Sequence, residues 1–165
     1  MDKLNWIREL VKSEQDMEEV GVVDFSAGFN PQAELAEDTL EFMTDLKTAF
    51  IEAASAFNQL RGSSLGNIKI YGISKTQADF MLFRNGHKLI FSMREPGLIQ
   101  LSHSSVSSQY IPGQLGAQAA NGSQEAFQAH WGAFGELKWT YQGQPINIDY
   151  LVRFYMSRFA RDSAK

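Results

Sequence analysis

The sequence predicts an α+β domain in which an antiparallel β-meander sheet of about four to six strands is packed by a long helix from the N-terminal half and by a C-terminal helix. Three observations carry this expectation. Between Asn67 and Val106 short apolar runs are broken repeatedly by turn residues, the mark of a meander. In that stretch Phe80-Met81-Leu82-Phe83-Arg84 and His87-Lys88-Leu89-Ile90-Phe91 flank Asn85-Gly86, a pair suited to the two positive-φ positions of a type I′ hairpin turn. From Gln32 to Arg61 apolar residues instead recur in alternating steps of three and four, the period of a helix with a buried seam. The 165 residues, 44% hydrophobic and 21% charged, are enough to bury one core, so a single domain over 1–165 is expected.

The N-terminal segment, 1–31, reads as a helix and a loop. Leu4, Ile7, Leu10 and Val11 share one helical stripe, Trp6 enlarges it, and Asp2 is available as the N-cap. Gly21 stops this helix, and Gly28 and Pro31 keep the following loop from becoming helical. The long helix, 32–61, carries the seam Ala36, Thr39, Met43, Leu46, Phe50, Ala53, Phe57 and Leu60. Leu40, Phe42, Ile51 and Ala54 widen the apolar surface, as suits a helix lying across a sheet. The competing reading is that the same seam pairs with a second copy or a partner helix.

In the meander, 67–106, Ile68 and Ile70 alternate with Lys69 and Tyr71, and Leu89, Phe91 and Met93 alternate with Lys88, Ile90 and Ser92. Pro96-Gly97 supplies the next turn. The run Phe80-Met81-Leu82-Phe83 is apolar at both parities, so its strand either lies in the centre of the fold or shows its second face to a partner. Residues 104–122, rich in Ser, Gln, Gly and Ala, read as a long flexible loop. In 123–165 a short helix capped by Ser123 and containing Ala126, Phe127, Trp131 and Phe134 is expected first. A hairpin around Gln142-Gly143 follows. Asn147 or Asp149 then caps the C-terminal helix, whose apolar stripe is Leu151, Phe154, Tyr155 and Phe159.

Composition removes several functions. With no cysteine there are no disulfides, thiolate metal sites or cysteine nucleophiles, which suits a reducing, cytoplasmic setting. No apolar run approaches the roughly 18 residues that a membrane span requires, so a soluble protein is expected. The net charge of −4 divides unevenly: residues 1–66 hold 13 acids and 5 bases, whereas 67–165 hold 6 acids and 10 bases. Such a division serves either contacts within the domain or an oppositely charged partner.

Residue patterns for catalysis are weak. His87, His103 and His130 lack the i, i+4 spacing of a helical metal pair. Ser102, His103, Ser104 and Ser105 are neighbours on one strand, where successive side chains point to opposite faces and cannot meet. The loops Gly62-Ser63-Ser64-Leu65-Gly66 and Gly113-Gln114-Leu115-Gly116 lack the Lys-Ser/Thr that grips phosphate. The acidic row Glu34, Glu37, Asp38, Glu41, Asp45 and Glu52 falls opposite the helix seam and reads as a solvated face. No catalytic residue, metal or cofactor is therefore assigned. Lys69, Lys75, Arg84, Lys88, Arg94, Arg153, Arg158 and Arg161, with Tyr71 and Phe83 as stacking rings, form a nucleic-acid pattern that the sequence pI near 5.4 disfavours.

The expectation is a non-enzymatic protein-interaction module or assembly subunit that binds a protein partner or itself as a homodimer. Its interaction residues would be Phe80, Met81, Leu82, Phe83, Met43, Phe50 and Phe57. The alternative is a small-ligand sensor or enzyme with a pocket near Trp131 and Trp139, to which Tyr141 and Tyr155 would contribute. In element order alone, helix, helix, meander, helix, hairpin, helix, the chain resembles small acidic secretion chaperones. That resemblance implies a dimer that binds an extended partner segment.

Overall fold

A computed structural model describes residues 4–105 and 124–164, which form two compact units, residues 1–37 and residues 38–165. In the first unit, helix α1 covers Asn5–Val20. Leu4 occupies its N-cap position without a side-chain cap, and Asp2 lies outside the described residues. Gly21 ends it at φ 75°, its N–H bonded to the Met17 carbonyl, a left-handed cap that a residue with a Cβ adopts only at a cost. In the following loop Asp24 Oδ1 accepts hydrogen bonds from the backbone N–H and the hydroxyl of Ser26. Helix α2, Pro31–Arg61, begins in this unit, with Asn30 Oδ1 accepting the Ala33 N–H, and continues through the boundary into the second.

The second unit has the expected α+β architecture. Seven antiparallel strands pair strictly in chain order: β1 (Lys69–Gly72), β2 (Phe80–Arg84), β3 (His87–Glu95), β4 (Leu98–Ser105), β5 (Gln124–Trp131), β6 (Leu137–Tyr141) and β7 (Gln144–Pro145). Helix α3, Ile148–Asp162, follows, its first turn capped by Asn147 Oδ1 on the N–H groups of Asp149 and Tyr150. Asn85 and Gly86 take φ 50° and 82°, and Gln142 and Gly143 φ 51° and 82°, so both two-residue hairpins form as expected.

The sheet has more strands than the four to six expected, because the short helix expected after Ser123 is strand β5. Glu125, Phe127 and Ala129 point inward while Gln124, Ala126, Gln128 and His130 alternate with them. Period two was present in this segment. Its interleaved alanines and glutamines imitate helical spacing, and pairing with β4 and β6 decides the matter. Of the segment read as a long loop, Ser104 and Ser105 belong to β4 and residues 106–122 lie outside the described residues.

Both helices of this unit cover one face of the sheet. Phe42, Met43, Leu46, Phe50 and Ala54 from α2, and Leu151, Val152, Tyr155, Met156 and Phe159 from α3, form one buried cluster with Phe80, Leu82, Leu89, Phe91, Ile99, Leu101, Phe127 and Trp139. Each large apolar side chain taken wholly out of water here contributes about 1.5–3 kcal/mol. Polar tethers set the helix positions. Thr39 Oγ1 accepts the Gly97 N–H at 2.8 Å, and Asn58 brackets Ile68, donating to its carbonyl at 2.9 Å and accepting its N–H at 2.8 Å.

Arg84, 7% exposed, closes one end of the layer. Its Nε donates to the Gly66 carbonyl at 2.8 Å and its Nη1 to the Ala160 carbonyl at 2.9 Å, while its guanidinium lies 5.2 Å from the Phe57 ring centroid. The loop before β1, the end of β2 and the last turn of α3 thus share one cation, which the α3 dipole also favours. Arg84→Met, which leaves two half-buried carbonyls unpaired, is expected to lower stability in urea unfolding by about 2–4 kcal/mol. Arg84→Lys, lacking the fork that reaches both carbonyls, is expected to recover less than half of that loss.

Candidate functional site

Alternation along the strands gives the sheet a second face. The β1–β2 and β2–β3 registers place Lys69, Phe83 and Lys88 in one cross-strand row, and Tyr71, Met81 and Ile90 in the next. Ile90 is followed by Ser102 on β4. Tyr71 is 44% exposed, and its ring meets Phe83 at 6.5 Å between centroids with the planes at 60°. Tyr71, Met81, Phe83 and Ile90 stand outside the buried cluster that receives the apolar residues of α2 and α3. Further across the face most outward residues are polar, Ser92, Gln100, Ser102, Gln124, Gln128, His130, Lys138 and Thr140, with Leu98 and Ala126 among them. Among the described strands, outward carboxylates are confined to Glu95 at the β3 bulge beside Arg94. The second face is therefore an apolar patch bracketed by two lysines, with little negative charge.

The structure separates the residues expected to act at an interface. Phe80, Leu82, Met43 and Phe50 are fully buried, 0% exposed, in the core of the single chain. Phe57 packs partly buried beside that core, within 5.9 Å of the Arg61 guanidinium and 5.2 Å of the Arg84 guanidinium. Met81 and Phe83 lie on the outward face. The apolar run at both parities thus divides, Phe80 and Leu82 inward, Met81 and Phe83 outward. Tyr71 and Ile90, their cross-strand partners, are not among the expected interaction residues, although their strand parity is the signal that places them there.

A polar cluster lies beneath the C-terminal half of α3. His87 and His103, from neighbouring strands, stack at 5.7 Å between centroids, and His103 meets the Phe159 ring edge-on at 6.4 Å. His87 Nδ1 and His103 Nε2 are buried without a hydrogen-bond partner in the protein. Beside them Tyr155 donates to Glu125, and Arg158 lies 3.7 Å from Glu125 and 3.8 Å from Asp162. Burial, and then Glu125, push the Tyr155 phenol far above its ordinary range, so it remains a donor. The space lined by Leu89, Leu101, His103, Glu125, Tyr155 and Arg158 is about 20 Å³, room for a single water and not for a substrate. Among the described residues no cluster of three or more acidic or histidine side chains is arranged to hold a metal.

An open groove of about 300 Å³ runs between the β6–β7 end of the sheet and the start of α3. Phe127, Tyr141, Tyr150, Phe154 and Tyr155 line it, with Pro145 and Asn147. No charged side chain lines the groove, Asn147 Oδ1 is committed to capping α3, and the Tyr155 hydroxyl is held by Glu125. Trp139 is stacked on Phe42 at 4.5 Å with its Nε1 donating to Asp38, and Trp131 closes β5 at 42% exposure. Of the aromatic residues expected around a pocket, Tyr141 and Tyr155 share this groove, whereas Trp131 and Trp139 do not line it.

Acid sensitivity is expected from the surroundings of His103. Burial, followed by the charge of His87, lowers the His103 pKa below its usual value, with Asp162 opposing and Arg158 assisting. The folded state holds this group neutral, so its contribution is complete above about pH 6.5 and is lost as pH falls through that value toward the lower folded pKa. Thermal melts between pH 7.5 and 5 are expected to show Tm falling in the wild type. His103→Gln should remove the part of the decline that His103 causes. An unchanged slope would mean that other groups control it.

No family model, no curated protein and no solved structure matches this chain.

Proposed function

We propose that the protein is a non-enzymatic interaction module whose outward sheet face docks an acidic amphipathic segment of a protein partner. The observation that carries this reading is the apolar patch Tyr71, Met81, Phe83 and Ile90 with Lys69 and Lys88 directly beside Phe83 in the cross-strand row. Apolar side chains of a partner would be desolvated at the centre, and its carboxylates would meet the two ammonium groups at the margin. Self-association of two such faces is opposed, because it sets lysines against lysines. A polyanionic nucleic acid suits the site less well. Two of its four apolar residues are aliphatic, its two rings meet edge to face instead of forming parallel platforms, and the chain carries a net charge of −4.

An enzymatic reading has less support. The space beside the polar cluster admits about one water, and the aromatic groove offers no charged group to move a proton or stabilise developing charge.

A synthetic helical peptide with Leu at i, i+3, i+4 and i+7 and Glu elsewhere, titrated at low salt with the dilute protein, tests the proposal. Binding is expected to weaken at least about tenfold on Phe83→Asp. It should weaken comparably when the peptide's glutamates are replaced by lysines. Because residue 83 points outward, the variant should retain a cooperative unfolding transition near that of the wild type. Equal affinity for the acidic and basic peptides would remove the basis of the proposal.

A further inference from the structure

Helix α1 keeps its apolar residues partly exposed, with Leu10 packed against the Gly28 loop. None of its described side chains is buried, and Trp6, Ile7 and Val11 are 47%, 40% and 50% exposed. An apolar helical stripe of this kind is costly to leave wet, at about 25 cal/mol for each Å² of apolar surface. The chemistry along the stripe changes partway. Steps of four, three and four place Ile7, Val11, Glu14 and Glu18 in one line, so its first turns are apolar and its last turns acidic. Arg8, Lys12 and Glu19 fall on another side of the helix.

The outward sheet face has the complementary order. Its Tyr71-Met81-Ile90 row is apolar, and the adjacent Lys69-Phe83-Lys88 row is basic around one ring. Rows two residues apart along a strand are about 7 Å apart. Along α1 the rise from Val11 to Glu14 is about 4.5 Å and from Ile7 to Glu14 about 10 Å. A helix lying along the strand direction can therefore set Ile7 and Val11 over the apolar row while Glu14 and Glu18 reach the lysines. Trp6 would extend the contact sideways.

We infer that the occupant of the sheet face is helix α1 of a second copy, so that the chain forms a dimer with two such reciprocal contacts. This rests on the docking reading of that face and names its partner. Its symmetry is that of a closed pair, each copy giving a helix and receiving one. The arrangement also uses the uneven charge of the chain, since an acidic N-terminal segment meets a basic sheet face.

Charge reversal in the full-length chain tests it. Sedimentation equilibrium at low salt is expected to give a two-copy mass for the wild type. Glu14→Lys/Glu18→Lys and Lys69→Glu/Lys88→Glu, each alone, should weaken the dimer at least about tenfold. Mixed in equal amounts, the two variants should restore it, because each altered helix then finds a sheet of opposite charge and each unaltered helix an unaltered sheet. A one-copy mass for the wild type, or a dimer indifferent to both reversals, or a mixture that stays dissociated, would overturn the inference. A monomeric wild type that still binds the acidic peptide through Phe83 would leave the docking face standing and remove only the second copy. A monomer that binds neither would remove both.

Discussion

The packing at Phe91 is the contact on which the rest of the second unit depends. Its ring lies 4.9 Å from Phe80 across the β2–β3 pair, 5.0 Å from Phe50 of α2, and 6.4 Å from Tyr155 of α3, meeting the last edge-on. Phe50, Phe80 and Phe91 are fully buried. The sheet, the long helix and the C-terminal helix thus converge on one aromatic centre, with offset and edge-to-face arrangements that suit ring quadrupoles as well as area burial. Both helices spend their apolar residues on this side, and among the described residues of 38–164 no helix covers the opposite side. One-sided coverage follows directly from where the core is built.

That asymmetry explains why an apolar patch survives on a strand with a buried side. An antiparallel sheet normally alternates apolar inward and polar outward residues, as β5 does. Strand β2 departs from this, with Phe80 and Leu82 inward and Met81 and Phe83 outward. Lys69 and Lys88 beside Phe83 give the patch a sign as well as an apolar character. The polar cluster under α3 has a different physical role. Arg84 ties the loop before β1 to the end of α3, and the histidine stack on the neighbouring strands lines the same inner side. That cluster lies on the covered side of the sheet, whereas the Lys69-Phe83-Lys88 row lies on the outward side.

Much of the fold was legible in the chain. The seam of α2, the Asn85-Gly86 and Gln142-Gly143 turns, the Asn147 cap and the double apolar parity of β2 are local patterns over a few residues. Strand β5 was less legible, because alanine and glutamine carry little preference and its identity depends on β4 and β6. Of the candidate site, Met81 and Phe83 were visible as part of an apolar run, but Tyr71 and Ile90 join them only through register. The His87–His103 pair was likewise hidden. The residues are sixteen positions apart and meet because β3 and β4 pair so that both point toward α3.

By itself the sequence determined helices α1, α2 and α3 and which turns are tight, and it determined the alternation within the meander strands. Those features come from backbone sterics, positive-φ tolerance and side-chain periodicity acting over a few residues. Only the tertiary structure decided which parity of β2 is covered, which aromatic residues share a groove, and that a buried arginine joins the loop before β1 to α3. Each of these depends on what lies opposite a side chain, and that is set by pairing between segments far apart in the chain.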